Sequence, residues 1–140
     1  MNTESIAELL PHQPPMVLIE RVRDWDADFI ECTSAGHHER HHPLRIDGEL
    51  SVYAGVEYAA QGMAAHARLS ARAHGAAPRK GFVAVASKIR AQAQTLDCDP
   101  GELRIAVHCL TRNDASSLYR FEVHSPEREL LAGQLTVTTA

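Results

Sequence analysis

The sequence predicts an α+β domain in which a mainly antiparallel sheet wraps around one long central helix. Three observations predict it. Leu50–His74 is a proline-free, alanine-rich run of about 25 residues, long enough for a helix of nearly 40 Å. From Val52 to Ala67 that run is small or apolar on every side, the pattern of a buried helix. Gly81 to Thr138 reads as strands joined by short turns, an antiparallel meander. Curling the sheet around the helix buries it, but one face of the helix stays open. A second copy, pairing sheet to sheet, is expected to cover more of it, which predicts a homodimer. Residues 1–140 are read as a single domain.

The elements follow in order. Thr3 or Ser5 can cap a short helix running to about Leu10, with Glu4 and Glu8 suited to its N-terminal half and Pro11 stopping it. Met16–Arg23 is apolar and then alternating, which suits a strand. Trp25–Asp28 is the turn, and Phe29–Ser34 pairs back as a hairpin. Ala35–Glu49 is a loop that leads into the long helix. Phe82, Val83, Val85 and Ile89 favour a strand over Gly81–Asp97, with a helix in its Ala/Gln part as the competing reading. Asp99-Pro-Gly101, Arg112–Ala115 and Ser125–Arg128 are turns between strands at Leu103–Thr111, Leu118–His124 and Leu130–Thr138.

The polar residues inside the apolar helix are the informative ones. Glu57 has no basic residue on its own helix to pair with, and a lone carboxylate in a dry site is costly. Such a group is a functional candidate; otherwise it reaches a rim or meets an arginine from another segment. Gln61 lies one turn on, on the same face, where it either orients Glu57 or caps a buried polar contact. His66 reads as a satisfied or rim histidine.

Composition excludes several classes. With 14 basic and 18 acidic residues the formal net charge is −4, so nothing electrostatic points to nucleic acid or an anionic membrane. Glu57, Gln61 and His66 interrupt the helix, so no membrane span is expected. The N-terminus has neither the charged nor the apolar region of a signal peptide. Cys32, Cys98 and Cys109 are isolated and fit neither a disulfide framework nor a metal site. A reduced, cytoplasmic protein is expected.

Four of the 9 histidines, His37, His38, His41 and His42, crowd into the loop before the helix. They lack the closed ligand spacing of a structural zinc site, so no metal is expected there and most of them should be solvated. His37 and His38, nearest the strand end, should face water.

Three stretches carry a resemblance. Leu9-Leu-Pro-His-Gln-Pro-Pro-Met-Val-Leu-Ile-Glu-Arg-Val22, Glu57-Tyr-Ala-Ala-Gln61 and Asp99-Pro-Gly-Glu-Leu103 are similar to motifs of the hotdog-fold β-hydroxyacyl-acyl carrier protein dehydratases. The match spans nearly the whole chain. His42-Pro43 matches the family's His-Phe-Pro-Gly after a one-residue shift, with His41 as the next candidate, and Ser51-Val52 stands where the family has Pro-Gly. These departures resemble the divergent dehydratase-like subunits of aryl polyene gene clusters.

The resemblance implies a dehydratase acting on 3-hydroxyacyl thioesters, delivered on the phosphopantetheine arm of an acyl carrier protein. It implies Glu57 and His42 as the catalytic pair, contributed by different protomers of a homodimer or by a hetero-oligomer with another hotdog subunit. It implies the Val52 amide at the helix N-terminus as the donor to the thioester oxygen, with Gln61 and His41 near the substrate, and no cofactor. A carboxylate and an imidazole suit the chemistry, which needs a base for the Cα proton and an acid for the leaving hydroxyl. Arg79, Lys80 and Arg90 are candidate contacts for the acidic carrier. Two alternatives remain: an acyl thioesterase in which Glu57 activates water, and a catalytically silent partner of an active hotdog subunit.

Overall fold

The computed structural model describes residues 9–10, 15–75 and 81–139. Its order is β1 (Arg21–Asp26), β2 (Phe29–Ser34), α1 (Gly55–Ala73), β3 (Gly81–Ala91), β4 (Leu103–Arg112), β5 (Ser116–His124) and β6 (Glu129–Thr139). The six strands form one antiparallel sheet in the order β1-β2-β4-β5-β6-β3. Alternation decides which side chains meet the helix. Ile30 and Cys32 of β2, Ile105 and Val107 of β4, Phe121 and Val123 of β5 and Leu131 and Leu135 of β6 are all fully buried. Each such aliphatic or aromatic side chain contributes about 1.5–3 kcal/mol when removed from water.

Glycine sets how closely α1 approaches this surface. A Cβ at Gly55 would sit 2.9 Å from Leu131 Cδ2, and one at Gly62 would sit 3.1 Å from Val107 Cγ2. The helix buries Tyr58, Ala59, Gln61, Met63, Ala65, His66 and Leu69. Val56, Glu57, Ala60 and Ala64 are only partly buried, and Ala67 is exposed. The helix is therefore not enclosed all round within one chain; one stripe stays half open.

Three boundaries differ from the sequence expectation. Met16–Glu20 is not strand. Apart from the Glu20 amide, which donates to Thr33 O at 3.0 Å, its main-chain groups bond to side chains: the Leu18 and Ile19 amides donate to Gln61 Oε1 at 2.8 and 3.4 Å, and the Leu18 carbonyl accepts from Ser34 at 2.7 Å. The ladder with β2 therefore starts only at Arg21, and Trp25 and Asp26 belong to β1, which shortens the turn to Ala27-Asp28. The long helix begins later than Leu50. Leu50 and Ser51 run extended beside the segment after β3, where Leu96 N–H donates to Leu50 O at 3.1 Å. A single 3-10 turn, Val52–Ala54, then leads into α1, capped by the Ser51 hydroxyl on Tyr53 N–H. The Ala/Gln segment after Ala91 is not helical, because its backbone pairs with Leu130 and Val52. The short helix expected before Leu10 lies almost entirely outside the described residues. No helix among the described residues is long and apolar enough to cross a membrane.

Candidate active site

The histidine-rich loop is built around Arg45. Its guanidinium donates to Glu39 O at 2.8 Å, Gly48 O at 3.0 Å, His37 O at 2.9 Å and the Asp97 carboxylate at 2.7 Å. Four points on two segments are thus tied to one side chain. Its planar fork of donors suits that role. Asp97 is held below the usual carboxylate range: burial raises its pKa, but the hydrogen bond and charge of Arg45 outweigh that. The loop also contains a two-residue reversal at Asp47-Gly48, with φ of 52° and 82°, closed by mutual bonds between Ile46 and Glu49. An Asp-Gly pair suits a turn that needs two left-handed residues.

This anchoring decides which histidines are inside. His41 is exposed, as is His38, whose Nε2 lies 3.3 Å from Gly101 O. His37, expected in water, is instead 1 % exposed. The Arg45 bond to its carbonyl holds it in, and burial, then His38, lowers its pKa to about 4. His42 is buried too. The Leu44 amide donates to His42 Nδ1 at 3.1 Å, and His42 Nε2 lies 2.8 Å from the Tyr58 hydroxyl. Burial, then Arg45, lowers the His42 pKa, so the ring is neutral at neutral pH. Tyr58 is held protonated: burial, then Glu20, pushes its pKa up.

Glu57 leaves α1 on the half-open stripe, where Gln61 Nε2 donates to its Oε1 at 3.4 Å. Gln61 fills both roles open to it. Its oxygen accepts from Leu18 and Ile19, and its nitrogen serves the Met16 carbonyl as well as Glu57. Adjacent helical residues point about 100° apart, so Glu57 and the Tyr58 side that holds His42 face different directions within one chain. The Val52 amide, expected at the thioester oxygen, donates to Gln94 O at 2.9 Å. Tyr53, Ala54 and Gly55 direct their amides to Ser51 and to the turn itself, so the first amides of the helix start are satisfied within the chain.

The expected satisfied histidine, His66, is fully buried with Asp26 O at 2.8 Å and the Tyr119 hydroxyl at 3.3 Å. Arg90 pairs with Glu129 at 3.1 Å, and Arg79 and Lys80 lie outside the described residues. Among the described residues, ligand atoms of Glu122, His124 and Glu129 come within 4.8 Å of one another on the sheet. Glu129 there already accepts from Arg90 and Gln92. Arg45 and Tyr58 carry no local signal in the sequence: Tyr58 lies within the apolar helix run, and nothing nearby marks Arg45 apart from other loop arginines.

The profile of the ApeP-like family, described as ApeP dehydratase, matches residues 4–140. The chain belongs to this family. It is thus a member of a dehydratase family, on a hotdog fold. No curated protein matches the sequence. Among solved structures, the dehydratase heterocomplex ApeI:P from Xenorhabdus doucetiae is similar with a TM-score of 0.87 at 20% identity, covering 99% of this chain and 93% of that one. A thioesterase family protein from Silicibacter pomeroyi matches with a TM-score of 0.68 at 9% identity, over 96% and 94% of the two chains. The E. coli PaaI protein of the phenylacetic acid degradation operon matches with a TM-score of 0.61 at 12% identity, over 84% and 80%. At such identities these structures share the fold with this chain.

Proposed function

We propose that this ApeP-like dehydratase acts on 3-hydroxyacyl thioesters presented by an acyl carrier protein, in aryl polyene-type synthesis, as one subunit of a hotdog pair. Glu57 and His42 are the proposed acid–base residues, each meeting its counterpart across the subunit interface. The observation that carries this reading is the half-open stripe of α1. Glu57 lies on it, the chain's own sheet does not cover it, and within one chain it points away from the side that holds His42. Another subunit laid on that stripe closes a dry site around Glu57, where acid–base groups are most effective. The ApeI:P structure is itself a heterocomplex, which favours a non-identical second subunit. Gln61 and His41 are proposed to flank the acyl chain, and the Val52 amide to serve the thioester oxygen in exchange for Gln94 O.

The test is to incubate the chain with a 3-hydroxyacyl carrier substrate, alone and with a co-expressed dehydratase subunit, and to follow enoyl product and free carrier thiol. Enoyl product in either preparation supports the reading, and product only with the second subunit identifies a heteromeric enzyme. Release of thiol without enoyl product establishes the thioesterase instead. No reaction in the mixed preparation overturns the proposal.

A further inference from the structure

We infer that Arg68 is a specificity-determining residue: it receives the far end of the acyl chain, and the substrates it selects carry there an oxygen that accepts hydrogen bonds. This deepens the proposed function and rests on Glu57 marking the place where the thioester end of the substrate reacts.

Among the described residues, three buried side-chain atoms have no hydrogen-bond partner: His37 Nδ1, Arg68 Nε and Ser70 Oγ. Buried polar atoms are nearly always paired, so each of them calls for an explanation. His37 sits in the histidine-rich loop, and Ser70 lies about 140° round the helix from Glu57. Arg68 is placed differently. It lies within about 20° of Glu57 around the axis, about three turns and roughly 16 Å further along. It therefore shares the half-open stripe with Glu57, and like Glu57 it is partly buried.

A guanidinium keeps its charge at every working pH and only donates. Taking its N–H from water without supplying an acceptor costs free energy. Other arginines of the chain are served: Arg45 by three carbonyls and Asp97, Arg90 by Glu129, and Arg128 by Asp99. No hydrogen bond or ion pair to Arg68 is present among the described residues. The acceptor that fits it comes from outside the chain, along the stripe it shares with Glu57.

The surface between the two residues suits a chain lying lengthwise. Ala60 and Ala64 are partly buried there, and their methyl groups make it low and apolar. Gln61, the long side chain on this stretch, is drawn aside to Met16, Leu18 and Ile19. A chain held by its thioester at Glu57 passes over the alanines and ends at Arg68. At an extended advance of about 1.2 Å per bond the span takes about a dozen bonds. It takes fewer once the arginine leans toward the helix N-terminus, as helical side chains do. Two kinds of chain end offer the required oxygen. A carboxylate meets the guanidinium as a fork, and a hydroxylated ring lies flat on it while its oxygen accepts.

The test uses the complete assembly and 3-hydroxyacyl pantetheine thioesters ending in hydroxyphenyl, phenyl, carboxylate or methyl, each at about ten and about four bonds of chain. At the longer length the parent should prefer the oxygen-bearing ends by about tenfold or more in kcat/KM, mainly through KM. Arg68→Met should abolish that preference and Arg68→Lys should keep part of it. On the short chains Arg68→Met should match the parent. The better of hydroxyphenyl and carboxylate identifies which end the site takes. A parent without preference, or a preference that survives Arg68→Met, overturns the inference. So does equal loss on short and long chains, or loss of the assembly in Arg68→Met, which assigns the arginine to the subunit contact. If no chain is turned over, the reading of Glu57 fails instead. Calorimetric binding of the matching enoyl thioesters then decides Arg68 by itself: tighter binding of oxygen-ended chains, lost in Arg68→Met, upholds the inference, and equal binding overturns it.

Discussion

Two buried histidines sit beside opposite parts of α1, and each is paired with a tyrosine hydroxyl and a main-chain group. At His66, Nε2 faces the Asp26 carbonyl and Nδ1 faces the Tyr119 hydroxyl. At His42, Nδ1 faces the Leu44 amide and Nε2 faces the Tyr58 hydroxyl. Both rings therefore carry the proton on Nε2, with the wiring reversed. Tyr119 belongs to β5, so His66 ties the helix to the sheet. Tyr58 is the chain neighbour of Glu57, which lies on the stripe that the chain leaves half open and accepts from Gln61. The same pair of side chains thus makes a clamp in one place and part of a candidate site in the other. The difference lies in the neighbourhood, the covered sheet for one and the half-open stripe for the other.

The sharpest way to break this comparison is at Glu57. Glu57→Gln should retain the fold and melting temperature while turnover of the assembly falls by 10² or more, on the order of an acid–base group. Full activity in that variant erases the distinction between the two ends. His66→Leu should do the reverse. It strands the Asp26 carbonyl and the Tyr119 hydroxyl, so urea unfolding should show a loss of about 1–3 kcal/mol with turnover per folded molecule unchanged.

Gln61→Leu joins the two effects. It removes partners from the Leu18 and Ile19 amides and from Glu57, so stability should drop by roughly 1–3 kcal/mol and turnover should fall as well. A stability loss without any change in turnover would detach Gln61 from the site.

Acid should weaken the fold. His37, His42 and His66 all have lowered pKa values, with burial the first cause of each, and His37 resists protonation down to about 4. The unfolded chain takes up these protons near the ordinary value of 6.5, so in between the folded state binds fewer. Stability is therefore fully present above pH 6.5 and is lost as pH falls toward 4, which chemical denaturation across that range measures. His37→Phe should flatten part of that slope. The smallest effect belongs to His41→Ala at the exposed position, where stability should move by no more than about 0.5 kcal/mol and turnover should decline only modestly.

The meander and the helix core were legible in the residues because their signals are local. Alternation in β4, β5 and β6 places buried and exposed side chains two residues apart, and the alanine-rich run carries its helix propensity within itself. Glu57 and Gln61 stand out for the same reason: polar residues one turn apart in an apolar helix mark themselves, and the structure joins them at 3.4 Å. The family motifs added the identity of the fold. Tertiary structure alone decided the rest. Met16–Glu20 has the pattern of a strand but bonds to Gln61 and Ser34 instead, and His37 has the look of a solvated loop residue but is drawn in by Arg45. The buried histidines find their hydroxyl partners in Tyr58 and Tyr119, 16 and 53 residues away along the chain. Apolar burial follows a period that any short window reveals. A buried polar group must find a partner of the right hydrogen-bonding sense, and that partner is named only when distant segments meet.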